Sequence, residues 1–329
     1  MLGVNYYFRN IRAGYSIQTV FHTVAERVGR TLSIRRTYLP SPFAGLPSIL
    51  RNGLYALRRQ RRGELNHITG DVHYLLWFLR GRRTVVTVHD IMYYHRLAGV
   101  KKRLWKWLYI SSLKRAAYVV FISDFARRQV LEQIWLPAER VAVIPNPVDD
   151  RFRFCEKAFN DSCPVILHVG TLGRKNLERT VRALEGIPCH LRVVGSLSAD
   201  MARLLREKRV NYSCAHDLDD GQMADEYRRA DIVSFPSLSE GFGMPVIEGQ
   251  AVGRVVVTSD LSPMREVAGG AAALVDPYSV DDMRRAYLRV IRDRDYRGAL
   301  VRKGRENVRR YSPDAVARQY VEIYRNLSE

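Results

Sequence analysis

The stretch DIVSFPSLSEGFGMPVIEGQAV, residues 231–252, decides how this chain is read. Its first seven residues are mostly apolar and end at Pro236 and Ser237, the pattern of a short strand buried on both faces. LSEGFG has the composition of a loop. MPVIEGQAV reads as a helix whose Pro245 falls in the first turn, where a missing N–H costs little. The glycines of the loop let backbone N–H groups come close to a ligand, and a helix start favours negative charge. Phosphate is the natural guest of such a turn. Glu248, about one turn into the helix, can then accept hydrogen bonds from ribose hydroxyls, and Glu240 can face the group beyond the phosphates. Taken alone, the same residues also describe a solvated glutamate pair around a helix start.

The strand–helix alternation extends in both directions. Apolar runs at 2–8, 65–69, 84–90, 117–123 and 141–147 are separated by helical patterns that include 13–29, 47–62 and 100–115. After Asp149 and Asp150 the pattern restarts, with strands expected at 164–170, 191–195, 231–237, 255–259 and 272–277. Near-continuous apolar strands alternating with helices indicate parallel sheets covered on both faces. The break falls in PNPVDDRFRF, residues 145–154, so the fold class is α/β with two doubly wound domains, 1–147 and 148–311. Open parallel sheets bind ligands at the carboxyl ends of their strands, and two facing domains would make that place a cleft.

A second element lies in HVGTLGRKNLERTV, residues 168–181. A strand ends at Gly170, Arg174 and Lys175 follow in a short turn, and Asn176 is a suitable N-cap for the next helix. Two cations at a strand-to-helix turn suit a diphosphate, the arginine binding two oxygens at once and the lysine acting as a point charge. A basic surface turn is the plainer account of the same residues.

Together the two elements resemble the retaining nucleotide-sugar glycosyltransferases of the GT-B fold, specifically the family 4 group. SEGFGMPVIEGQAVG matches that family's pair of glutamates eight apart with internal Gly-Phe-Gly and Pro, and GTLGRKNL resembles its phosphate turn. TSDLSPMREVAGGAAALVDP, IPNPVD, FISDFAR and YSPDAVARQYVEIYRNL resemble further segments in the same order, so the likeness covers most of the chain. The resemblance implies a Rossmann-like acceptor domain, a Rossmann-like donor domain and a last helix, 312–329, packing back on the first.

The same resemblance assigns roles. Lys175, supported by Arg174, would neutralise the donor diphosphate as the glycosidic bond breaks. Gly170, Thr171 and the backbone N–H groups of Phe242 and Gly243 would hold the phosphates. Glu248 would hold the ribose and Glu240 would lie against the donor sugar. His89, in TVHD, would contact the sugar from the first domain, and Gly14 would stand in the loop where donor phosphate and acceptor meet. Two departures stand out: Ala13-Gly14 replaces a frequent Gly-Gly, and Thr171 stands where many members have Arg. Arg174 is the candidate to compensate. The family uses no metal and no cofactor, and the leaving phosphate takes the acceptor proton on the same face. GTLGRKNL looks most like members that use GDP-mannose, with UDP-sugars the alternative, and the acceptor would be a glycan or lipid-linked sugar of a surface polysaccharide or glycoconjugate. A sugar-nucleotide epimerase of the same fold is the nearest competing activity.

Composition adds a location. The chain has 329 residues and a net charge of +19. Up to Pro147 there are 24 Lys and Arg against 7 Asp and Glu, and from Val148 onward 29 against 27, so the excess belongs to the first half. PSILRNGLYALRRQRRG and VKKRLWKWLYISSLKR mix leucine, tryptophan and tyrosine with Lys and Arg, as a membrane interface selects. The expectation is a cytoplasmic protein peripheral on the anionic inner membrane face. Packing of these aromatic faces onto the domain's own sheet is the competing account. No run approaches 18 apolar residues, MLGVNYYFRN lacks the features of an export leader, and the four cysteines show no C-x-x-C spacing. Specific nucleic-acid binding has charge in its favour but no recognisable motif. The Asp-x-Asp runs at 217–220 and 293–295 read as helix caps and helix charges, not as metal ligands, and His168, His190 and His216 lack ligand spacing.

Overall fold

The computed structural model describes residues 2–13 and 16–328. It divides into two compact units, one of residues 1–147 with 312–329 and the other of residues 148–311.

In the first unit six strands, β1 (Gly3–Phe8), β2 (Ser33–Tyr38), β3 (Leu65–Ile68), β4 (Thr84–Val88), β5 (Tyr118–Phe121) and β6 (Val141–Val143), form one sheet in the order β2-β1-β3-β4-β5-β6. Every neighbouring pair is parallel. The helices are α1 (Ser16–Val28), α2 (Leu46–Arg59), the short α3 (Met92–His95), α4 (Gly99–Trp105) and α5 (Asp124–Leu131). β3 and β4 are buried throughout, so a sheet of this kind needs a helical layer on each face. One layer includes α2, whose Ile49 and Ala56 join Leu75, Tyr109, Leu113 and Val130 over the sheet.

In the second unit β7 (Val165–Val169), β8 (His190–Val194), β9 (Asn211–Ala215), β10 (Ile232–Phe235), β11 (Val255–Ser259) and β12 (Ala273–Val275) run in the order β12-β11-β10-β7-β8-β9. All pairs are again parallel. Its helices are α6 (Leu177–Leu184), α7 (Ala199–Glu207), α8 (Asp220–Arg229), α9 (Met244–Val252), α10 (Met264–Ala268), α11 (Val280–Arg292) and α12 (Arg294–Asn307). The order reverses between β7 and β10, the switch point at which doubly wound sheets open a crevice.

The last helix, α13 (Pro313–Asn326), returns to the first unit and packs on α1. A buried polar net fixes it there. The Tyr324 hydroxyl donates to the Tyr6 hydroxyl at 2.9 Å and meets His67 Nδ1 at 2.5 Å, while Tyr320 meets Thr87 at 3.1 Å. His67 is driven to a pKa of about 3 by burial, so the net is neutral and its ring nitrogens serve as hydrogen-bond partners.

Both strands that the apolar pattern missed, β2 and β9, are sheet edges. SIRRTY and NYSCA face solvent on much of their surface and carry polar residues accordingly. The stretch 100–115, expected as one helix, is α4 followed by a π-turn over Lys106–Ile110 and a 3-10 turn over Ser111–Arg115. The wider turn brings Trp105 and Tyr109 into a stack at 4.6 Å over the core.

Candidate active site

The turn after β7 and the loop after β10 flank the switch point of the second sheet, and their chain paths are fixed to each other. Leu238 N–H donates to the Arg174 carbonyl at 2.8 Å. The Asn176 side chain donates to Pro236 O at 3.0 Å and Pro277 O at 2.7 Å, tying three strand ends together. The sequence suggests Asn176 as a side-chain N-cap. It does stand at the N-cap position of α6, but in a left-handed conformation, φ +64°, and its amide makes those loop contacts rather than a cap bond. Backbone geometry dictates the glycines on both sides. Gly170 has φ +93°, and a Cβ there would meet the Lys175 side chain at 3.0 Å. Gly243, with φ +107°, starts α9 from a conformation L residues rarely adopt.

Four of the expected residues meet in this crevice. Lys175 Nζ donates to Glu240 Oε1 at 2.7 Å, and Arg174 binds the same oxygen and also the Ser239 carbonyl at 3.3 Å. The Lys175 and Glu240 side chains are only 14% and 12% exposed, so this charge cluster is largely withdrawn from water. Lys175 Nζ lies 4.5 Å from the centre of the Phe235 ring, an aromatic floor contributed by β10. Burial pulls the Lys175 pKa below its ordinary value, and Glu240 opposes that shift. Glu240, expected against a donor sugar, is here the counter-ion of both cations.

Glu248 projects from α9, half-buried, and accepts a hydrogen bond from the Tyr227 hydroxyl at 2.5 Å. Burial pushes its pKa up to about 7, against the pull of Tyr227 and Lys175. A carboxyl poised there changes charge within the physiological range, and a ligand that donates hydrogen bonds to it favours the ionised form. Phe242 is buried and packs edge-on against Tyr311 at 5.8 Å, so its ring belongs to the packing behind the loop. Thr171 lies against Gly195 at the end of β8, where an added Cβ would meet its methyl group at 2.9 Å.

His89 belongs to the first unit. It is buried beyond the end of β4, and its Nε2 donates to the Thr69 carbonyl at 2.9 Å, which leaves Nδ1 as an acceptor. Burial lowers its pKa, so the ring is neutral at neutral pH. Gly14 lies outside the described residues.

Sequence reasoning missed Tyr227 and Phe235, and it set His168 aside as a residue without ligand spacing. Tyr227 sits on α8 in an ordinary polar helix, and Phe235 in an ordinary apolar strand. His168, on β7, is fully buried with neither ring nitrogen hydrogen-bonded, and burial together with Lys175 lowers its pKa to about 3. No spacing signal announces any of them. His190 instead meets Ser213 at 2.7 Å, His216 pairs with Asp217 at the surface, and Asp219 and Asp293 cap α8 and α12.

Two anchored cations, a glycine-rich helix start and a carboxylate one turn further on can hold a diphosphate and a diol side by side. Residues 149–307 match the family described as glycosyl transferases group 1, and residues 11–152 match glycosyltransferase family 4. O-antigen chain mannosyltransferase B of Escherichia coli is 26% identical over 285 residues, 75% of this chain and 71% of that protein. A phosphatidyl-myo-inositol mannosyltransferase of Mycolicibacterium smegmatis is 29% identical over 228 residues, 64% of this chain and 57% of the relative. In fold, sucrose-phosphate synthase of Thermosynechococcus elongatus matches with a TM-score of 0.82 over 99% of both chains, at 18% identity.

Proposed function

The chain belongs to the group 1, family 4 glycosyltransferases and has their GT-B fold of two doubly wound domains, and from that premise we propose that it transfers mannose from GDP-mannose to a glycan or lipid-linked acceptor of a surface polysaccharide or glycolipid. The observation that carries this reading is the pairing of Arg174 and Lys175 with Glu240 across the β7–β10 switch point, with Glu248 on α9 beside it. The mannosyltransferase relatives support mannose as the sugar.

In the proposed reaction the bond from the sugar's anomeric carbon to the β-phosphate oxygen breaks. A bond to the acceptor hydroxyl oxygen forms on the same face, and the acceptor proton passes to the leaving phosphate. Configuration is retained. Charge builds on the phosphate, where Lys175 and Arg174 are already held, so little reorganisation is needed as it develops. Glu248 accepts from the ribose hydroxyls. Two fixed guanidinium and ammonium charges take the role that a divalent cation would otherwise fill, and the reaction runs without metal. The first unit holds the acceptor, with neutral His89 offering Nδ1 to the sugar, and rests on the cytoplasmic face of an anionic membrane. Among the described residues no helix is long and apolar enough to cross one.

Thermal unfolding with GDP, UDP, dTDP and ADP, each with EDTA and again with magnesium, tests the donor site. A nucleotide at a hundred times its Kd stabilises by about 2.7 kcal/mol, a rise of a few degrees. GDP raising the melting temperature in EDTA, and failing to in Lys175→Ala, is the expected result. A shift only with magnesium sinks the metal-free mechanism, and a shift only with UDP reassigns the donor.

A further inference from the structure

The two basic segments of the first unit contain no carboxylate at all: residues 41–63 hold five Lys and Arg, and residues 91–123 hold seven. The structure separates which of their apolar side chains are core and which are not. On α2, Ile49, Asn52, Gly53 and Ala56 face inward, while Leu46, Leu50, Leu54 and Leu57 form an outward stripe, each about half exposed. On α4 and the π-turn after it, Val100, Leu104 and Trp107 repeat that spacing and are likewise exposed. Trp105 and Tyr109 turn the other way and stack over the core. The two stripes are joined by the 3-10 turn His73–Trp77, which packs against α2 and the π-turn, and Trp77 stacks on Trp107 at 4.7 Å.

Exposed Arg51, Arg58, Lys101 and Arg103 lie among these apolar residues. At one end of the face, Arg82, Lys114, Arg115 and Arg140 line a cavity of about 400 Å³ without a single acid. Backbone carbonyls hold two of its guanidinium groups: Arg115 donates to Leu76 O at 2.9 Å, and Arg140 to Lys114 O at 3.2 Å. The α1–α13 face offers a contrast. It is also basic, but Arg27 and Arg30 are matched by Asp314, and Glu322 stands among the other arginines.

Resting on the membrane-acceptor reading above, we propose that the α2–α4 face is the surface on which this protein lies against an anionic lipid bilayer. Leucine and tryptophan side chains enter the headgroup region, and the uncompensated cations meet lipid phosphates. Because α2 runs from the carboxyl end of β2 to the amino end of β3, a bilayer along it leaves the carboxyl edge of the sheet open. Thr69 and His89 stand at that edge, beside the headgroups from which a lipid-linked acceptor would rise.

Sedimentation of the full chain with vesicles of phosphatidylglycerol and phosphatidylcholine in equal parts, and with phosphatidylcholine alone, tests this. Lys101→Glu with Arg103→Glu is expected to lower partitioning roughly 25-fold or more at low salt, at about fivefold per cation lost. Leu50→Ser with Leu54→Ser is expected to lower it roughly tenfold and to weaken the binding that survives at high salt. Arg318→Glu with Arg325→Glu, on α13, is expected to change it less than about threefold. All six positions are exposed, and unchanged melting temperatures will show that the variants fold. Wild type binding anionic vesicles with the face variants binding equally well overturns this face but leaves the membrane reading standing. No wild-type binding overturns both, and the GDP melting shift in the same samples keeps the transferase reading separately testable. A solution dimer that Leu50→Ser with Leu54→Ser splits would assign the face to a second copy and overturn the lipid.

Discussion

Glu248→Gln makes a prediction that runs against the usual expectation for a buried polar residue. The Glu248 carboxyl has a folded pKa of about 7 against an ordinary 4.5, a gap caused mainly by burial. At about 1.4 kcal/mol per pH unit, ionising it in the fold costs about 3 kcal/mol, and about 2 once its remaining solvent contact is allowed for. The sign follows from proton counting. Below pH 4.5 both folded and unfolded chains hold the proton and nothing is lost. Between 4.5 and 7 the unfolded chain releases it while the folded one keeps it, so stability falls as pH rises and levels off above 7. Glutamine removes that penalty, and its carbonyl can still accept from Tyr227. Calorimetric melting of wild type and Glu248→Gln is therefore expected to coincide near pH 4.5 and to diverge by about 2 kcal/mol at pH 8, roughly 4–8 °C in favour of the variant. Tyr227→Phe removes a hydroxyl that favours the charged form, so in that background the divergence is expected to begin at the same pH, to continue above pH 7 and to end larger. A variant less stable than wild type at pH 8, or a difference independent of pH, would refute the account of Glu248 as a carboxyl held out of water.

Three further outcomes follow from the same cluster. Lys175→Ala is expected to lower kcat about 10²–10³-fold in a mannosyl-transfer assay, the loss typical of one preorganised donor at developing charge. Glu240→Gln removes the counter-ion shared by Arg174 and Lys175, so GDP measured by calorimetry is expected to bind several-fold tighter while transfer slows. Guanosine or GDP affinity is expected to rise from pH 6 to pH 8 with net proton release from Glu248, seen as a buffer-dependent binding enthalpy that Glu248→Gln abolishes.

The parts of the fold legible in the sequence are those where burial leaves no choice. β10 and β11 are buried along their whole length and so mostly apolar, IVSF and VVVTS, and they read as strands on sight. β2 and β9 lie at sheet edges, where half the surface meets water and the pattern dissolves into SIRRTY and NYSCA. The site divides along a similar line. Arg174, Lys175, Glu240 and Glu248 stand in loops whose local chemistry of glycines, helix start and charge is ambiguous singly and points to a site only when the two loops are read together. Their pairing is not local: Lys175 and Glu240 are 65 residues apart, and only the crossover from β7 through β8 and β9 to β10 brings them together. Tyr227 and Phe235 enter the site through that same topology, with nothing in their own neighbourhoods to mark them. In the basic segments the core account holds for only some of the apolar residues. Trp105 and Tyr109 pack on the sheet, while Leu50, Leu54 and Trp107 do not.

The shifts around the switch point share one physical cause, and that cause bears on how a donor would be gripped. Lys175 is pulled down and Glu248 is pushed up by burial, and His168 beneath them has two ring nitrogens without a partner. Each group lacks solvation that water gives in the unfolded chain, and Glu240 offsets only part of the deficit, for the two cations alone. A ligand with a diphosphate for Arg174 and Lys175 and a diol for Glu248 would supply what is missing at both ends at once. Its binding then draws on strain already present in the fold, so affinity and stability are linked. Lys175→Met with Glu240→Met, which exchanges a desolvated pair for apolar side chains, is on this argument neutral or stabilising to folding while abolishing GDP binding. A double variant that melts several degrees below wild type would mean that the cluster holds the domain together rather than waiting for a ligand.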